Sequence, residues 1–423
     1  AAQPALSRRD LVVLLVAAAC LQAIAWAVLL ALFSAGRMWY GLHQLADTLL
    51  YQQYAMAFSF GRWPYSGVPV EYPPLANLVF LVAPARAGVA TYEAWFGAAM
   101  IVATTAAAVL STAAAALTWR STARGLTAAI AYAVLTLCCG ALALNRYDAV
   151  VALVVAAALL FITVRRWVPA SVSLALGFAL KLTPALLLPV LLVLQESRRR
   201  VLVALGAFLV AAVVPFLPFA IHDAGTVGYP FTYHARRPLQ IESVLGTPWA
   251  AAALLGDARP HVIHAYGSQD FAGAGPDAVA QASPWLLALA VGAVYVVVWR
   301  RRRLLRASPA QVPVAVLAVL LVAMCTSKVL SPQFLIWTFP VVALCAAQPR
   351  WLPRLSAAAV VAAVCLTQAE FPARHWDLVG LESAPLAILL ARNAALVAAT
   401  VLAVAALVRV RVSEDPAPLT SRS

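Results

Sequence analysis

The sequence predicts an all-α integral membrane protein: a polytopic bundle of about 10 to 12 transmembrane elements, with interfacial helices in its first outer loop. Three observations predict it. Hydrophobic residues make up 64% of the 423 and charged residues only 11%, for a mean hydropathy of +0.89. Apolar runs long enough to cross a bilayer core of about 30 Å recur along the chain. Between them the arginines fall in short clusters in alternate loops, as the positive-inside rule asks of a multi-pass protein. The formal charge of +14 is therefore read as a set of topology anchors, not a nucleic-acid surface. Only Lys181 and Lys328 among the thirty basic residues are lysines, and the Ala, Val and Arg bias suggests a GC-rich bacterial genome, hence a bacterial plasma membrane.

Arg8 and Arg9 put the N-terminus in the cytoplasm, and Leu11 to Phe33 reads as a retained first helix without a clear cleavage site. The first outer loop, 34–90, is the candidate catalytic segment. In it His43, Asp47, Tyr51 and Tyr54 are spaced four, four and three apart, one face of an amphipathic helix that Gly61 and Pro64 end. Pro74 to Pro84 is too short to span and reads as a second interfacial helix. Spans follow from Tyr92 to Trp119, Gly125 to Leu144 and Ala149 to Val164, with Asn145 to Asp148 as a tight outer turn.

Trp167 to Gln195 has basic clusters on both sides, which a simple span would not explain. Two half-helices meeting near Lys181-Leu-Thr-Pro184 would, and Pro184 and Pro189 favour that break over a plain kinked helix. Val201 to Ile221 then exits to a large outer loop, 222–283, in which Gly267 to Pro276 reads as flexible. Pro284 to Trp299, Gln311 to Cys325, Phe334 to Ala347, Leu355 to Thr367 and Pro385 to Val408 complete ten spans and one broken element. Both termini are expected inside, with a cytoplasmic tail at 409–423 and the chain, 1–423, a single transmembrane domain. The six cysteines have no zinc-ligand spacing and read as buried free thiols.

Asp47 is the leading candidate for chemistry: a carboxylate among Tyr and His, facing a cavity, can accept a proton from a hydroxyl. The plain alternative is a solvated or helix-capping Asp. Glu71, before Tyr72-Pro-Pro74, is either a sugar ligand or an interfacial acid. Arg146 and Asp148 either pair with each other or line the cavity. Lys181 and Lys328 are ammonium groups in or beside apolar runs, which need a partner or an aqueous cavity. With Arg236 and Arg237 they form a candidate phosphate-binding set, although the arginines also read as solvated loop charges. Arg392 is expected to snorkel or to pair with Glu382. His222, His234, His261 and His264 share a loop without metal-site spacing, so sugar binding or solvation is expected of them.

Asp47 with Tyr51, Gly61-Arg-Trp-Pro-Tyr65, Glu71-Tyr-Pro-Pro74, Lys181-Leu-Thr-Pro184, Arg236-Arg-Pro-Leu-Gln-Ile-Glu-Ser243 and Ser331-Pro-Gln-Phe-Leu-Ile-Trp337 follow in an order that resembles glycosyltransferase family 87. The chain is also similar to the catalytic subunits that add the first mannose to glycosylphosphatidylinositol. The resemblance implies the GT-C fold and a polyprenyl-phosphate sugar donor, with mannose preferred, used on the non-cytoplasmic face. It implies Asp47 as general base, Arg236, Arg237, Lys328 and Lys181 at the donor phosphate, and His43, Tyr51, Tyr65, Glu71, Tyr72, Arg146, Asp148, His234, Glu242 and Gln333 as substrate or cavity residues. The acceptor would be a glycolipid or glycan, with membrane lipids as the other partners. Thr48-Leu49 after Asp47 replaces the second acid of an Asp-x-Asp, so no metal and no cofactor are expected. The rivals are the same fold using another sugar such as arabinofuranose, and a lipid or solute transporter, against which stands the lack of an inverted repeat.

Overall fold

The computed structural model describes residues 6–409, so all of the expected tail beyond Arg409 lies outside the described residues. Helix α1 (Arg8–Ser34) starts on a capping box, in which Ser7 Oγ accepts from the Asp10 amide and the Asp10 carboxylate accepts from the Ser7 amide. Val12, Val13, Val16 and Ile24 are exposed on it, the apolar outside of a helix that faces lipid. Two helices too short to span follow: α2 (Thr48–Ser59), and α3 (Pro74–Phe80), which opens with a proline where no amide is needed. Then come α4 (Val89–Trp119), α5 (Thr122–Cys139), the single turn α6 (Leu142–Asn145) and α7 (Asp148–Thr163). α4 packs on α5 and α7, and its buried residues include Ala107, Ala108, Ser111, Ala114 and Ala115, small enough for backbones to approach closely.

The segment expected to be broken is broken. Helix α8 (Trp167–Leu180) stops at Lys181, whose backbone is extended (φ −159°, ψ 130°), and a 3-10 turn leads into α9 (Leu188–Val193). The two ends of this segment meet at one place. Arg306 donates from Nε to the Val193 carbonyl at 2.9 Å and from Nη2 to the Gln195 carbonyl at 2.8 Å, while Arg165 reaches the Arg306 carbonyl at 3.4 Å. It is a re-entrant hairpin with Lys181 near its apex, not a kinked span. A Cβ on Gly177 would lie 2.7 Å from Pro184 Cβ, so the absence of a side chain there lets the two arms close.

Helices α10 (Arg198–Val213) and α11 (Leu217–His222) form one further apolar stretch. The large loop after it is more ordered than expected. It holds α12 (Tyr229–Arg236), β1 (Leu239–Gln240), α13 (Thr247–Leu255), β2 (His261–Ala265) and β3 (Ser268–Ala272). The strands form a small antiparallel sheet in the order β1-β3-β2, with Leu239 opposite Phe271. The expected flexible stretch from Gly267 to Pro276 is instead β3 and the start of the next helix. Tyr266 and Gly267, both at positive φ (49° and 66°), make the two-residue turn of a twisted hairpin.

Helix α14 (Ala274–Arg300) is followed by α15 (Arg302–Ala307), α16 (Val312–Thr326), α17 (Phe339–Ala346), α18 (Trp351–Glu370), the short α19 (His375–Val379) and α20 (Ser383–Arg409). Among the described residues eight helices are long and apolar enough to cross a membrane. Two of the ten expected spans are shorter, Asp148–Thr163 and Pro332–Ala346. Both are largely buried, α17 almost throughout, so other helices enclose them. Glycine at 140 (φ 59°) ends α5 early, and Asn145, Arg146 and Asp148 are buried rather than forming an outer turn. All six cysteines are free, but Cys20 and Cys365 are exposed rather than buried.

The arginine-rich loops gather at one end. Arg124 Nη1 donates to the carbonyls of Ala347 (3.0 Å) and Gln348 (3.1 Å), and Gln348 reaches Ala310, beside the Arg165, Arg306 and Gln195 contacts. The loops between these basic ones, in alternation along the chain, line the cavity described next.

Candidate active site

A cavity of ≈ 260 Å³ is walled by residues from the first loop, the segment before α7, the apex of the re-entrant hairpin, the sheet loop, the turn before α17 and the turn after α18. Of the sequence-predicted residues it collects Asp47, Glu71, Tyr72, Arg146, Lys181, His234, Arg237, Glu242 and Gln333.

Asp47 occupies the N-cap position of α2, yet its carboxylate makes no capping bond. Instead Oδ2 stands 3.0 Å from Arg146 Nε and accepts from the Tyr51 hydroxyl at 3.3 Å. Arg146 is itself fixed, with Nη2 donating to the Leu45 carbonyl at 2.6 Å. Of the two alternatives for Arg146 and Asp148, the mutual pair does not form, since each has another partner, and Arg146 lines the cavity while Asp148 does not. The helix starts at Thr48, later than the expected helix face, and His43 lies in the turn before it. His43 is exposed, off the cavity, and pairs with Glu93 at 3.3 Å. Tyr51 is fully buried, stacked on Phe80 at 4.5 Å, so it orients Asp47 instead of lining the cavity.

Lys181 donates to Asp148 Oδ1 at 2.9 Å, and the Trp337 indole donates to the same oxygen at 2.6 Å. The ammonium also stands 4.8 to 5.7 Å from the ring centres of Tyr147, Phe334, Trp337 and Tyr72, whose negative faces attract it. Asp148 lies beneath the cavity wall, with no exposure. A buried pair of this kind survives only with such added bonds, because removing two charges from water is costly.

Glu71 accepts a 2.5 Å bond from the Tyr54 hydroxyl, and burial holds its carboxyl above the usual range. Tyr65 is not at the cavity: it is buried and donates to the Tyr72 carbonyl at 2.8 Å. Burial, with Arg237 and Lys181 nearby, lowers His234 to about 4, so the imidazole is neutral at pH 7. Glu242 accepts from Gln240 Nε2 at 2.6 Å, and its burial pushes its carboxyl above the usual carboxylate range.

The two arginines of the loop part company. Arg237 is buried on the cavity, whereas Arg236 is exposed at the end of α12 and away from it. Lys328 spends its ammonium on the Ala235 carbonyl at 2.8 Å and does not line the cavity either. The expected phosphate set therefore narrows to Lys181 and Arg237, with Arg146 as a third cation. Arg392 neither snorkels nor meets Glu382: it is 1% exposed and donates to the Glu242 carbonyl at 2.7 Å.

His264, expected to bind sugar or be solvated, is also on the cavity, and so are residues that sequence reasoning missed: Tyr233, Gln240, Phe371, His375 and Trp376, with Glu370 just behind. Glu370 carried one usable signal, an acid closing an apolar run. Among the described residues Glu242, Glu370 and His375 form the one acidic and imidazole cluster compact enough to hold a cation.

Fold and cavity together define a multi-pass membrane protein with a charged, ion-paired cavity built from the loops at one end of its bundle. The chain belongs to glycosyltransferase family 87, whose sequence profile matches residues 71–332. It is a membrane glycosyltransferase. No curated protein matches the chain. Among solved structures, the crystal structure of ArnT from Cupriavidus metallidurans bound to undecaprenyl phosphate superposes with a TM-score of 0.48 at 17% identity, covering 91% of this chain and 77% of that one.

Proposed function

We propose that the protein has a GT-C fold and transfers a sugar, most readily mannose, from a polyprenyl-phosphate donor to a hydroxyl of a glycolipid or glycan acceptor. Transfer takes place on the non-cytoplasmic face and inverts the anomeric centre, with Asp47 as the general base. The observation that carries this reading is one cavity holding a carboxylate outside any helix-capping bond together with three cations, Arg146, Lys181 and Arg237.

Asp47 takes the acceptor's hydroxyl proton as the acceptor oxygen bonds to the anomeric carbon. The bond from that carbon to the phosphate oxygen breaks with its electron pair, and polyprenyl phosphate leaves as an anion. Lys181 and Arg237 hold that charge as it develops, the ammonium as a point charge and the guanidinium as a two-pronged donor. The Asp47 Oδ2 contacts to Arg146 and Tyr51 fix the carboxylate's direction, leaving Oδ1 for the acceptor. Glu71, His234, Gln333 and the cavity aromatics supply hydroxyl ligands and a stacking face for the sugar.

Membranes containing the protein, supplied with labelled polyprenyl-phosphate mannose and a panel of lipid acceptors, test the reading. Asp47→Asn is expected to lower transfer about 10²- to 10⁴-fold without loss of the folded protein. Undiminished transfer by a folded Asp47→Asn variant would overturn the mechanism. Labelled transfer from polyprenyl-phosphate arabinofuranose but not from mannose would move the reading to the other sugar.

A further inference from the structure

Glu242, Glu370 and His375 come from three elements: the turn after β1, the last residue of α18 and the first of α19. One ligand atom of each lies within 4.8 Å of the other two. These groups are not satisfied by the protein. Glu370 is 1% exposed, and neither of its carboxylate oxygens has a hydrogen-bond partner. Glu242 Oε1 and His375 Nδ1 are buried and unpartnered as well. Arg392 is close by, but its bond goes to the Glu242 main-chain carbonyl rather than to a carboxylate. Buried carboxylate oxygens without donors are costly in a low-dielectric interior, and the single positive charge of Arg392 beside two carboxylates leaves a further counter-charge to be supplied.

We propose that Glu242, Glu370 and His375 bind a divalent cation of the zinc or manganese class, with an open coordination position on the cavity. Two carboxylate oxygens and one imidazole nitrogen suit these metals better than calcium or magnesium, which take oxygen alone. Bonds of about 2.0–2.2 Å put two ligands of one ion about 3–4.4 Å apart, so side-chain rotations of under about an ångström complete the site. Glu242 and His375 line the cavity while Glu370 closes the site from behind, which turns the remaining position toward the substrate. The ligands come from the second half of the chain, far in sequence from the Asp47 segment whose missing second acid set the expectation of no metal, although the two share one cavity. The inference stands apart from the sugar-transfer reading, because metal content is measured without donor or acceptor.

The full chain, purified in detergent and stripped with a chelator, is incubated with Zn²⁺ or with Mn²⁺, desalted, and its metal counted by plasma mass spectrometry. About one ion per chain is expected for the wild type. Glu370→Gln keeps the shape of the buried side chain, and His375→Gln alters a half-exposed position; each is expected to weaken binding at least about tenfold while eluting as the wild type does from a sizing column. A wild-type chain that retains neither metal overturns the proposal, and so does retention that is equal in the wild type and in either folded variant.

Discussion

Asp47 sits where a helix cap belongs and does not cap, and the reason lies 99 residues downstream in Arg146. The same logic governs Lys181, whose counter-charge is Asp148, held in turn by the Trp337 indole. Asp148→Asn leaves the ammonium buried without a counter-charge, and a loss of roughly 3–5 kcal/mol is expected. Thermal unfolding in detergent checks it; a single variant as stable as the wild type would sink the argument. Adding Lys181→Met to Asp148→Asn is expected to restore most of the stability while sugar transfer stays low, which separates the cation's structural role from its proposed role at the phosphate. These partnerships were illegible in the sequence. Asp47, Glu71 and Lys181 stood out because charge is rare in apolar surroundings, but periodicity says nothing about which charge meets which across a bundle. For the same reason Arg236 and Arg237 looked equivalent, although one residue of rotation leaves Arg236 in solvent and buries Arg237.

At the scale of elements, the re-entrant hairpin was legible and the sheet was not. Basic clusters on both sides of Trp167 to Gln195 run against the charge rule for a simple span, and Pro184 and Pro189 each cost a helix a bond, so charge and backbone chemistry favoured the break near Lys181 over a kinked helix. Strand β3 gave no such sign: Ser268 to Ala272 mixes polar and apolar residues between glycines, and its pairing with β1 reaches back 30 residues. Nor does periodicity distinguish an apolar run that spans from one enclosed by neighbours, and α7 and α17 are of the second kind. The hairpin rests on the close approach of Gly177 to Pro184. Gly177→Val is expected to force the arms apart at a cost of about 1–3 kcal/mol. Gly206→Val, where an added Cβ meets nothing within 4 Å, serves as the control. Equal melting temperatures for the two variants would count against the packing argument.

For the whole molecule, the alternation of basic and cavity-lining loops predicts orientation. With Cys20 and Cys365 replaced, Ala224→Cys and Ser197→Cys put one exposed thiol at each end of α10–α11. A membrane-impermeant maleimide is expected to label Cys-substituted 224 on intact cells and Cys-substituted 197 only after permeabilisation. The reverse pattern would put the cavity in the cytoplasm. The re-entrant hairpin adds a consequence of its own. Its footing, clasped by Arg306, is on the basic face, while its tip carries Lys181 into the cavity. The position of a cavity cation is thus set from the opposite end of the bundle. Arg306 is a handle on the cavity that lies outside it: a substitution there is expected to shift the seat of Lys181 while leaving every other cavity-lining side chain in place.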